Sequence, residues 1–329
     1  MSTILVTGAA GFIGSHVVQA LLQRGDRVIG LDNFHPYYPR ELKQKNLDSI
    51  RNTNDEPFTF VECDICHHQN LASLFETYRP DSIIHLAARA GVRPSIADPT
   101  GYLETNVIGT QRILTCAQTY GAQRCIIASS SSVYGNHPSV PFHEELEVNE
   151  PISPYAASKR ACEFLAYTHH HLTRIPTACL RFFTVFGPRQ RPDLAIHSFL
   201  KLASTSQPIP MFGDGTTSRD YTYIDDIVQG ILAAHDRIPE FGYRIWNLGG
   251  NSPHSLKELI EIIGRVVDKP IRIDARPKQP GDVERTYADI GRAMKELDFC
   301  PKTGLEDGIA KQWAWMQQAH MQDDVNCNP

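Results

Sequence analysis

The feature that most limits the possible folds is a regular alternation of short apolar segments with longer amphipathic ones before Phe186. The apolar segments are ILVTG, RVIGLDN, FTFVECD, SIIHLAA, RCIIASS and TACLRFF. Each has the length and composition of a strand buried on both faces of a parallel sheet. The stretches between them, such as HVVQALLQRG, repeat apolar residues at the period of a helix. Such alternation predicts right-handed βαβ units and therefore an α/β fold, a Rossmann-type doubly wound parallel sheet.

The second half of the chain differs from the first in amino-acid composition. GPRQRPD, QPIPMFGDGTTSRD, NLGGNSPHS and ARPKQPGD are rich in Gly, Pro and Arg. A chain of 329 residues exceeds what one core usually holds. We therefore predict a cofactor domain over 1–183, with 222–250 returning to it because DDIVQGILAAH and RIWNLGG look like a helix and a strand. Segments 184–221 and 251–318 would form a smaller α/β substrate lobe, and 319–329 a disordered tail.

Composition narrows the possible partners and location. The net charge of -5 gives no broad basic field, which argues against nucleic acid or an acidic membrane as a partner. The N-terminus enters a strand at once, and no apolar run reaches about 18 residues, which predicts a soluble protein without a leader or membrane span. The eight cysteines lie mostly in apolar segments such as RCIIA, which favours reduced core residues and a cytoplasmic location.

Two sequence patterns resemble metal sites, but neither has the spacing or geometry that would bind a metal ion. Cys63 and Cys66 form a CxxC pair, yet no second pair follows at zinc spacing. His169, His170 and His171 are consecutive, so on a helix they point in three directions and do not converge on one ion. We expect no metal.

A glycine triad joins the first predicted strand to the first helix. In TGAAGFIG, Gly8, Gly11 and Gly14 fit a loop whose backbone amides bind a pyrophosphate at the positive end of a helix. Asp32 follows Gly11 by 21 residues, at the end of the next strand. A carboxylate there accepts hydrogen bonds from a ribose diol and repels a 2'-phosphate, so the pattern predicts NAD instead of NADP.

Tyr155 and Lys159 in SPYAASK predict a proton-transfer pair. Ser153 is a predicted N-cap and Pro154 the first helical residue, so the two side chains lie on one helical face. An ammonium close to a phenol favours the phenolate, which can act as a base.

Four consecutive serines, Ser129 to Ser132, end the fifth strand. They are either turn formers and caps or part of a ligand site, because ligands of open α/β sheets bind at the carboxyl ends of the strands. Their position alone leaves both readings open.

Together the glycine triad, HLAA at 85–88, SSSSVYG and SPYAASK resemble the extended short-chain dehydrogenase/reductase superfamily that acts on nucleotide sugars, over nearly the whole chain. Within it, LRFFTVFGPRQRPDLA and FGDGTTSRDYTYIDD most resemble UDP-glucuronate 4-epimerases. The resemblance implies tightly bound NAD, a UDP-sugar substrate, catalysis by Tyr155, Lys159 and Ser130, and a homodimer formed through helices around 104–120 and 154–172.

The resemblance also implies two sets of binding residues. Those expected at NAD are Gly8, Gly11, Phe12, Ile13, Gly14, Asp32, Asn33, Asp64, Ile65, Leu86, Ala87, Ala88, Tyr155 and Lys159. Those expected at the UDP-sugar are Ser130, Ser131, Ser132, Tyr155, Thr184, Arg191, Arg219, Arg93 and Asp282. In the second set, Arg219 would bind the diphosphate and Asp282 a ribose.

Ser131 and Ser132 bear on the type of reaction. Related 4,6-dehydratases resemble TDEVYG at this turn and UDP-glucuronate decarboxylases resemble TSEVYG, and both use the added carboxylate for proton chemistry. Without such an acid, the expected reaction stops at moving a hydride, which is epimerisation. Ser131, Ser132 and Thr184 as short donors, and Arg191 as a two-pronged partner, would restrain the glucuronate carboxylate. Galactose-type epimerases have asparagine in place of Thr184.

Three alternatives remain open at this stage. The first is a 4-epimerase of UDP-glucose or UDP-N-acetylhexosamines, against which Thr184 and Arg191 argue. The second is UDP-glucuronate decarboxylase, disfavoured by Ser132. The third is a catalytically silent NAD-binding sensor, which the presence of Tyr155 and Lys159 disfavours.

Overall fold

A seven-stranded parallel sheet forms the centre of the molecule. The computed structural model describes residues 2–53, 58–277 and 283–326. The strands of this sheet are β1 (Thr3–Thr7), β2 (Arg27–Asp32), β3 (Phe58–Glu62), β4 (Ser82–His85), β5 (Arg124–Ser130), β6 (Thr177–Phe182) and β10 (Tyr243–Leu248). Their order across the sheet is β10-β6-β5-β4-β1-β2-β3, and every neighbouring pair is parallel. The predicted doubly wound α/β fold is confirmed.

Helices cover both faces of this sheet. Alternate residues of β1 enter different cores, with Ile4 and Val6 on one face and Leu5 on the other. The first face packs on α1 (Phe12–Gln23), α2 (Arg40–Thr53) and α9 (Ile224–Phe241). The second packs on α3 (His68–Tyr78), α6 (Gly109–Tyr120) and α7 (Pro154–Thr173). Burial on both faces explains why the strands are continuous apolar runs.

The helical connection from β4 to β5 is irregular. It consists of α4 (Val92–Ala97), α5 (Pro99–Leu103), a π-helical segment (Glu104–Ile108) and then α6. Single π turns inside helices occur frequently at functional sites.

A second group of elements lies beyond the main sheet. It contains a three-stranded sheet of β7 (Thr184–Phe186), β9 (Ser218–Tyr223) and β11 (Pro253–Ser255), and a parallel pair of β8 (Ile209–Phe212) and β12 (Ile273–Arg276). Its helices are α8 (Ala195–Ser204), α10 (Leu256–Val267) and α12 (Leu305–Asn326), whereas α11 (Gly291–Leu297) packs against α9 and β10. β10 leaves this part of the chain and pairs with β6. The domain boundaries themselves stay a prediction.

The C-terminal end differs from the predicted disordered tail. Helix α12 continues through residues 319–326. Within the described ranges, no helix combines the length and apolarity needed to cross a bilayer.

Candidate active site

A cavity of about 590 Å³ opens at the carboxyl ends of the main-sheet strands. This is where ligands of open α/β sheets bind. The predicted site residues that line it are Gly8, Gly11, Phe12, Ile13, Gly14, Asp32, Asn33, Ile65, Leu86, Ala87, Ala88, Ser130, Tyr155, Lys159, Thr184, Arg191 and Arg219. Asp64, Ser131, Ser132 and Arg93 do not line it, and Asp282 lies outside the described residues. One cavity therefore joins the glycine loop to the second group of elements.

The glycine loop leaves room only for backbone. Gly8 has φ of +73°, and a Cβ atom there would lie 2.9 Å from the amide nitrogen of Ala87. A Cβ atom at Gly14 would lie 2.0 Å from the carbonyl oxygen of Gly8. Gly11 is the N-cap of α1, and the first turn of this helix contains no acidic residue and no side-chain cap. The free amides and the positive end of the helix fit a pyrophosphate.

Asp32 is buried at the end of β2 and is held by the backbone. One carboxylate oxygen accepts the amide of Phe34 at 2.8 Å, and the other accepts the amide of Ala10 at 3.3 Å. The ammonium of Lys43 lies 3.4 Å from the first oxygen. The carboxylate is thus fixed beside the glycine loop, in the position expected for a ribose contact.

Asp64 does not line the cavity but contacts a residue that does. Its carboxylate accepts hydrogen bonds from the side-chain amide of Asn33 at 2.9 Å and from the backbone amide of Cys66 at 2.7 Å. Asn33, which does line the cavity, is therefore oriented by Asp64.

The wall formed by residues 86–88 is anchored by Thr7 and His85. The Thr7 hydroxyl accepts the amides of Leu86 and Ala87 at 3.2 and 3.1 Å and pairs with Nδ1 of His85 at 2.7 Å. The other ring nitrogen of His85 pairs with the Thr110 hydroxyl at 3.0 Å. Burial, and then the charge of Lys159, lowers the pKa of His85 to about 3. The ring is therefore neutral and serves as a fixed link between strand and helix.

Helix α7 carries the predicted proton-transfer pair on one face. The Ser153 hydroxyl accepts the amide of Ala156 at 3.1 Å, so Ser153 is the predicted N-cap. Lys159 lies one turn after Tyr155, and its ammonium donates to the carbonyl oxygen of Ala128 at 2.8 Å. The helix thereby delivers a phenol and a fixed cation to the end of β5.

The four serines at the end of β5 have different contacts. Ser129 donates to the carboxylate of Glu163 at 2.7 Å and is buried. Ser130 donates to the hydroxyl of Ser132 at 3.1 Å and accepts its amide at 3.1 Å. Ser131 and Ser132 begin a 3-10 turn that ends at Tyr134. The row therefore contains both an N-cap and a hydroxyl on the cavity, so each open reading of the serines describes part of it.

The three arginines expected at the substrate are placed differently. Arg191 lines the cavity, but its Nε and Nη2 donate to the two carboxylate oxygens of Asp193 at 3.0 and 2.7 Å, and it lies 4.6 Å from the Tyr37 ring centre. Arg219 also lines the cavity and donates to the carbonyl oxygen of Ser218 at 2.9 Å. Arg93 instead packs on the Phe212 ring at 5.0 Å, away from the cavity wall.

Several residues of the cavity wall were not among the predicted site residues. Tyr37 and Tyr38 line it from the loop after β2, Lys43 lines it from α2, and Arg89 lines it from the segment after β4. The signal for the two tyrosines is their place just after Asp32, because a loop that leaves the carboxyl end of a strand borders the ligand site. Asn106, in the π-helical segment, donates to the Ser158 hydroxyl at 2.9 Å and to the Arg89 carbonyl oxygen at 3.0 Å. It links this segment to the helix of Tyr155.

Comparison with known proteins places the chain among nucleotide-sugar enzymes. It matches the family described as GDP-mannose 4,6 dehydratase over residues 5–312. It is 42% identical over 319 residues to the UDP-glucuronate 4-epimerase of Thermodesulfobacterium geofontis, with 97% of each chain covered.

Two solved structures have similar folds. The UDP-glucuronic acid 4-epimerase of Bacillus cereus, in complex with UDP-glucuronic acid and NAD, has a TM-score of 0.90 and 37% identity, covering 96% of this chain and 99% of that one. The UDP-glucose 4-epimerase of Thermotoga maritima, solved with UDP-glucose, has a TM-score of 0.88 and 29% identity, covering 97% and 99%.

Proposed function

The chain belongs to the family described as GDP-mannose 4,6 dehydratase, and we propose that it is an NAD-dependent UDP-glucuronate 4-epimerase. It interconverts UDP-glucuronate and UDP-galacturonate through a 4-keto sugar. The observation that carries this proposal is a single cavity lined by the glycine loop, by Ser130, Tyr155 and Lys159, and by Thr184 and Arg191. The relatives of similar length that bear this name or act on UDP sugars support it.

The chain's own residues supply the proton chemistry. Tyr155 as phenolate takes the proton of the 4-hydroxyl and later returns it, and Lys159 stabilises the phenolate. Ser130 shares a hydrogen bond with the same hydroxyl, and Arg219 holds the diphosphate while the sugar ring turns over. Bound NAD supplies the chemistry of accepting a hydride from carbon 4 and giving it back on the opposite face. The residues fit this cofactor because the start of α1 has no acidic residue and no side-chain cap, and because the glycine loop and Asp32 line the same cavity.

The serines after Ser130 favour epimerisation over the reaction for which the family is described. Dehydration and decarboxylation both require further proton transfer at the sugar. Ser131 and Ser132 stand where related enzymes with those activities place a carboxylate. With hydroxyls there, no carboxylate of this turn assists those further proton transfers, and the 4-keto sugar is reduced again.

Glucuronate requires an additional restraint on its carboxylate. Its 4-keto form is a β-keto acid, which loses carbon dioxide when the carboxylate stands perpendicular to the carbonyl. Thr184 and Arg191, both on the cavity wall, are proposed to hold that carboxylate by a hydroxyl and a two-pronged guanidinium.

Proton NMR of the purified protein incubated with UDP-glucuronate, without added NAD, tests the function. Appearance of UDP-galacturonate supports both the reaction and a retained cofactor. UDP-xylose or a 4-keto pentose as the main product would replace the proposal with a decarboxylase. No change with UDP-glucuronate but conversion of UDP-glucose or UDP-N-acetylglucosamine would replace it with an epimerase of neutral sugars.

A homodimer is also proposed. Its support is an exposed apolar face on the two predicted interface helices, where Leu103, Ile108, Phe164, Tyr167 and Leu172 are between 47% and 75% exposed. A face of this kind usually marks an interaction surface. Sedimentation should give a dimer mass for the wild type and a monomer mass for Phe164→Glu, and a monomeric wild type would contradict the proposal.

A cytoplasmic location is proposed from the cysteines. The seven in the described residues are all unpaired, and most are buried. Burial raises the pKa of Cys125 to about 12 and that of Cys116 to about 11, so these thiols are unreactive. Cell fractionation with an antibody to the protein checks the assignment, and recovery outside the cytosolic fraction would contradict it.

A further inference from the structure

A buried ionic network lies directly behind the proposed catalytic residues. Its centre is Glu163, which follows Tyr155 by two helical turns and Lys159 by one on the same face of α7. The Glu163 carboxylate accepts the Ser129 hydroxyl at 2.7 Å and both Nε and Nη2 of Arg181 at 2.8 Å. It also accepts Nη1 of Arg160, one turn earlier on α7, at 2.8 Å. The side chains of Glu163 and Arg181 are each 1% exposed. The network connects α7 to β5 and β6.

Arg181 extends the network to the far end of the serine turn. Its Nη1 donates to the phenol oxygen of Tyr134 at 2.9 Å, and its guanidinium lies 4.7 Å from the centre of the Tyr134 ring. That phenol donates in turn to the side-chain oxygen of Asn247 on β10 at 2.8 Å. The Tyr134 ring stacks on Phe142 at 4.7 Å.

The two contacts enclose the segment that contains Ser130. Ser129 is bound to Glu163 at one end, and Tyr134 is bound to Arg181 at the other. Between them, the hydroxyl of Ser130 is bonded within the turn to Ser132, and Ser130 pairs with Phe182 in the ladder between β5 and β6. The position of that hydroxyl therefore depends on this ladder and on where the two ends of the segment are fixed.

Stability alone is a weak reason for such a network. Removing two charges from water is costly, and replacing a buried ion pair by apolar residues is often neutral or stabilising. Burial acts to raise the pKa of Glu163, but the hydrogen bonds from Arg181 and Ser129 outweigh it and leave that pKa lowered. The carboxylate is thus charged and fully bonded, which fixes its partners in one geometry.

We propose that Glu163 and Arg181 are positioning residues of the reaction, which clamp both ends of the segment 129–134 and so hold the Ser130 hydroxyl in reach of Tyr155 and the sugar. The inference rests on the proposed function. It concerns placement and not binding, so its loss should lower kcat while leaving KM and cofactor content largely unchanged. Misplacement of a reacting group by about 1 Å can cost about 100-fold in rate.

The test removes one contact at a time, because Glu163→Gln leaves Arg181 without its counter-ion and can prevent folding. Ser129→Ala deletes the hydroxyl bound to Glu163. Its matched control is Ser82→Ala, which deletes an equally buried serine hydroxyl bonded to Nε2 of His235 at 2.8 Å at the opposite end of the sheet. The quantities to compare are kcat, KM, bound NAD and Tm.

We expect Ser129→Ala to lower kcat about tenfold, with KM within about twofold of the wild type, whereas Ser82→Ala should change Tm to a similar extent without this loss of kcat. Equal kcat values for the two variants would overturn the inference. So would a loss in Ser129→Ala that appears only in KM or in bound NAD.

A second variant tests the other end of the clamp. Tyr134→Phe keeps the ring stacked on Phe142 but removes the hydrogen bonds to Arg181 and Asn247. We expect a similar loss of kcat, and a double variant with Ser129→Ala that loses less than the product of the two, because the contacts act as a unit. Independent, fully multiplicative losses would contradict a shared clamp.

The assay separates this inference from the proposed function. Each variant is compared with the wild type on UDP-glucuronate and on UDP-glucose, so a wrong glucuronate assignment still leaves a rate to measure. A wild type active on either sugar and a fully active Ser129→Ala variant would overturn the clamp alone.

Discussion

The serine segment at the end of β5 and the loop over residues 187–193 were both expected at the substrate, yet the structure builds them in opposite ways. Ser129 is bonded to a carboxylate that is 1% exposed, inside a network that joins three strands and a helix. Arg191 is bonded to Asp193, a neighbour two residues away that is 41% exposed. The groups proposed for chemistry are thus held by the core, whereas the group proposed for recognition is held by an exchangeable partner.

The difference has an energetic meaning. The Arg191 and Asp193 side chains are 16% and 41% exposed. A solvent-accessible ion pair is worth about 0.2–1 kcal/mol, so a sugar carboxylate can displace the more exposed Asp193 from Arg191 at small cost. Separating Glu163 from Arg181 would leave the buried Arg181 guanidinium without its counter-ion, at a cost of about 3–5 kcal/mol, although Glu163 would keep its contact with Arg160. The first region can therefore adapt to a ligand, while the second keeps its geometry.

The largest effect is expected from Tyr155→Phe in the rigid region. Loss of the phenol removes the proposed base, so kcat should fall about 10²- to 10⁴-fold while NAD stays bound, since general bases contribute about that factor. Steady-state rates and the cofactor released on denaturation measure the two quantities. Tyr120→Phe on α6 is the control, and near-normal turnover of Tyr155→Phe would remove Tyr155 from the mechanism.

The loop should respond in KM instead of kcat. Arg191→Met removes a charged two-pronged donor, and a hydrogen bond to a charged group is worth about 1.5–3 kcal/mol, so KM for UDP-glucuronate should rise about 10- to 150-fold. KM for UDP-glucose should change little. Asp193→Asn should lower KM for UDP-glucuronate a few-fold, because Arg191 is then released from its partner.

The Arg191→Met and Asp193→Asn variants can also show that the serine segment and the loop do not differ in rigidity. If Asp193→Asn raises KM as much as Arg191→Met does, Asp193 orients Arg191 for the substrate instead of competing with it. The loop would then be as preorganised as the serine segment.

The glycine loop provides a stability test of the rigid region. Gly8→Ala places a Cβ atom 2.9 Å from the backbone of Ala87, whereas Gly25→Ala has the same kind of positive φ but no atom within 4 Å. Both pay for the left-handed conformation, about 1 kcal/mol. We expect Gly8→Ala to lose about 1–3 kcal/mol more in urea unfolding, together with bound NAD. Equal losses of unfolding free energy in the two variants would show that the backbone at Ala87 shifts to accommodate the added Cβ atom.

The smallest effect is a pH dependence that originates in the sheet. The pKa of His85 is lowered to about 3 by burial and by Lys159, whereas an unfolded histidine titrates near about 6.5. Between these values the unfolded state binds more protons, so stability falls as the pH falls, by up to about 1.4 kcal/mol per unit. His85→Asn should flatten the fall in unfolding free energy between pH 7 and pH 5. His68→Asn, on the exposed surface of α3, should not.

The sequence predicted those features whose position is fixed by the backbone. Alternating apolar runs specify the parallel sheet, and the sheet then brings Gly8, Asp32, Ser130 and Tyr155 to one edge. Tyr155 and Lys159 share a face because helical spacing requires it. These expectations needed no knowledge of side-chain pairing.

What the sequence did not predict depends on contacts between distant residues. Nothing in the spacing of Glu163 and Arg181 indicates that they pair, and nothing near Asp32 indicates Lys43 as its neighbour. The helix through residues 319–326 also differs from the expected tail, because position at a chain terminus does not by itself determine where a helix ends. Tertiary packing decides such features.

The pairing of β10 with β6 has a consequence for synthesis of the chain on the ribosome. β6 ends at Phe182, but its outer neighbour β10 extends to Leu248, so a nascent chain exposes an unpaired core strand while more than sixty residues are still being translated. An open edge of this kind readily pairs with other chains. Cotranslational chaperone protection is therefore needed most within this window, and truncations that end inside it should accumulate as aggregates.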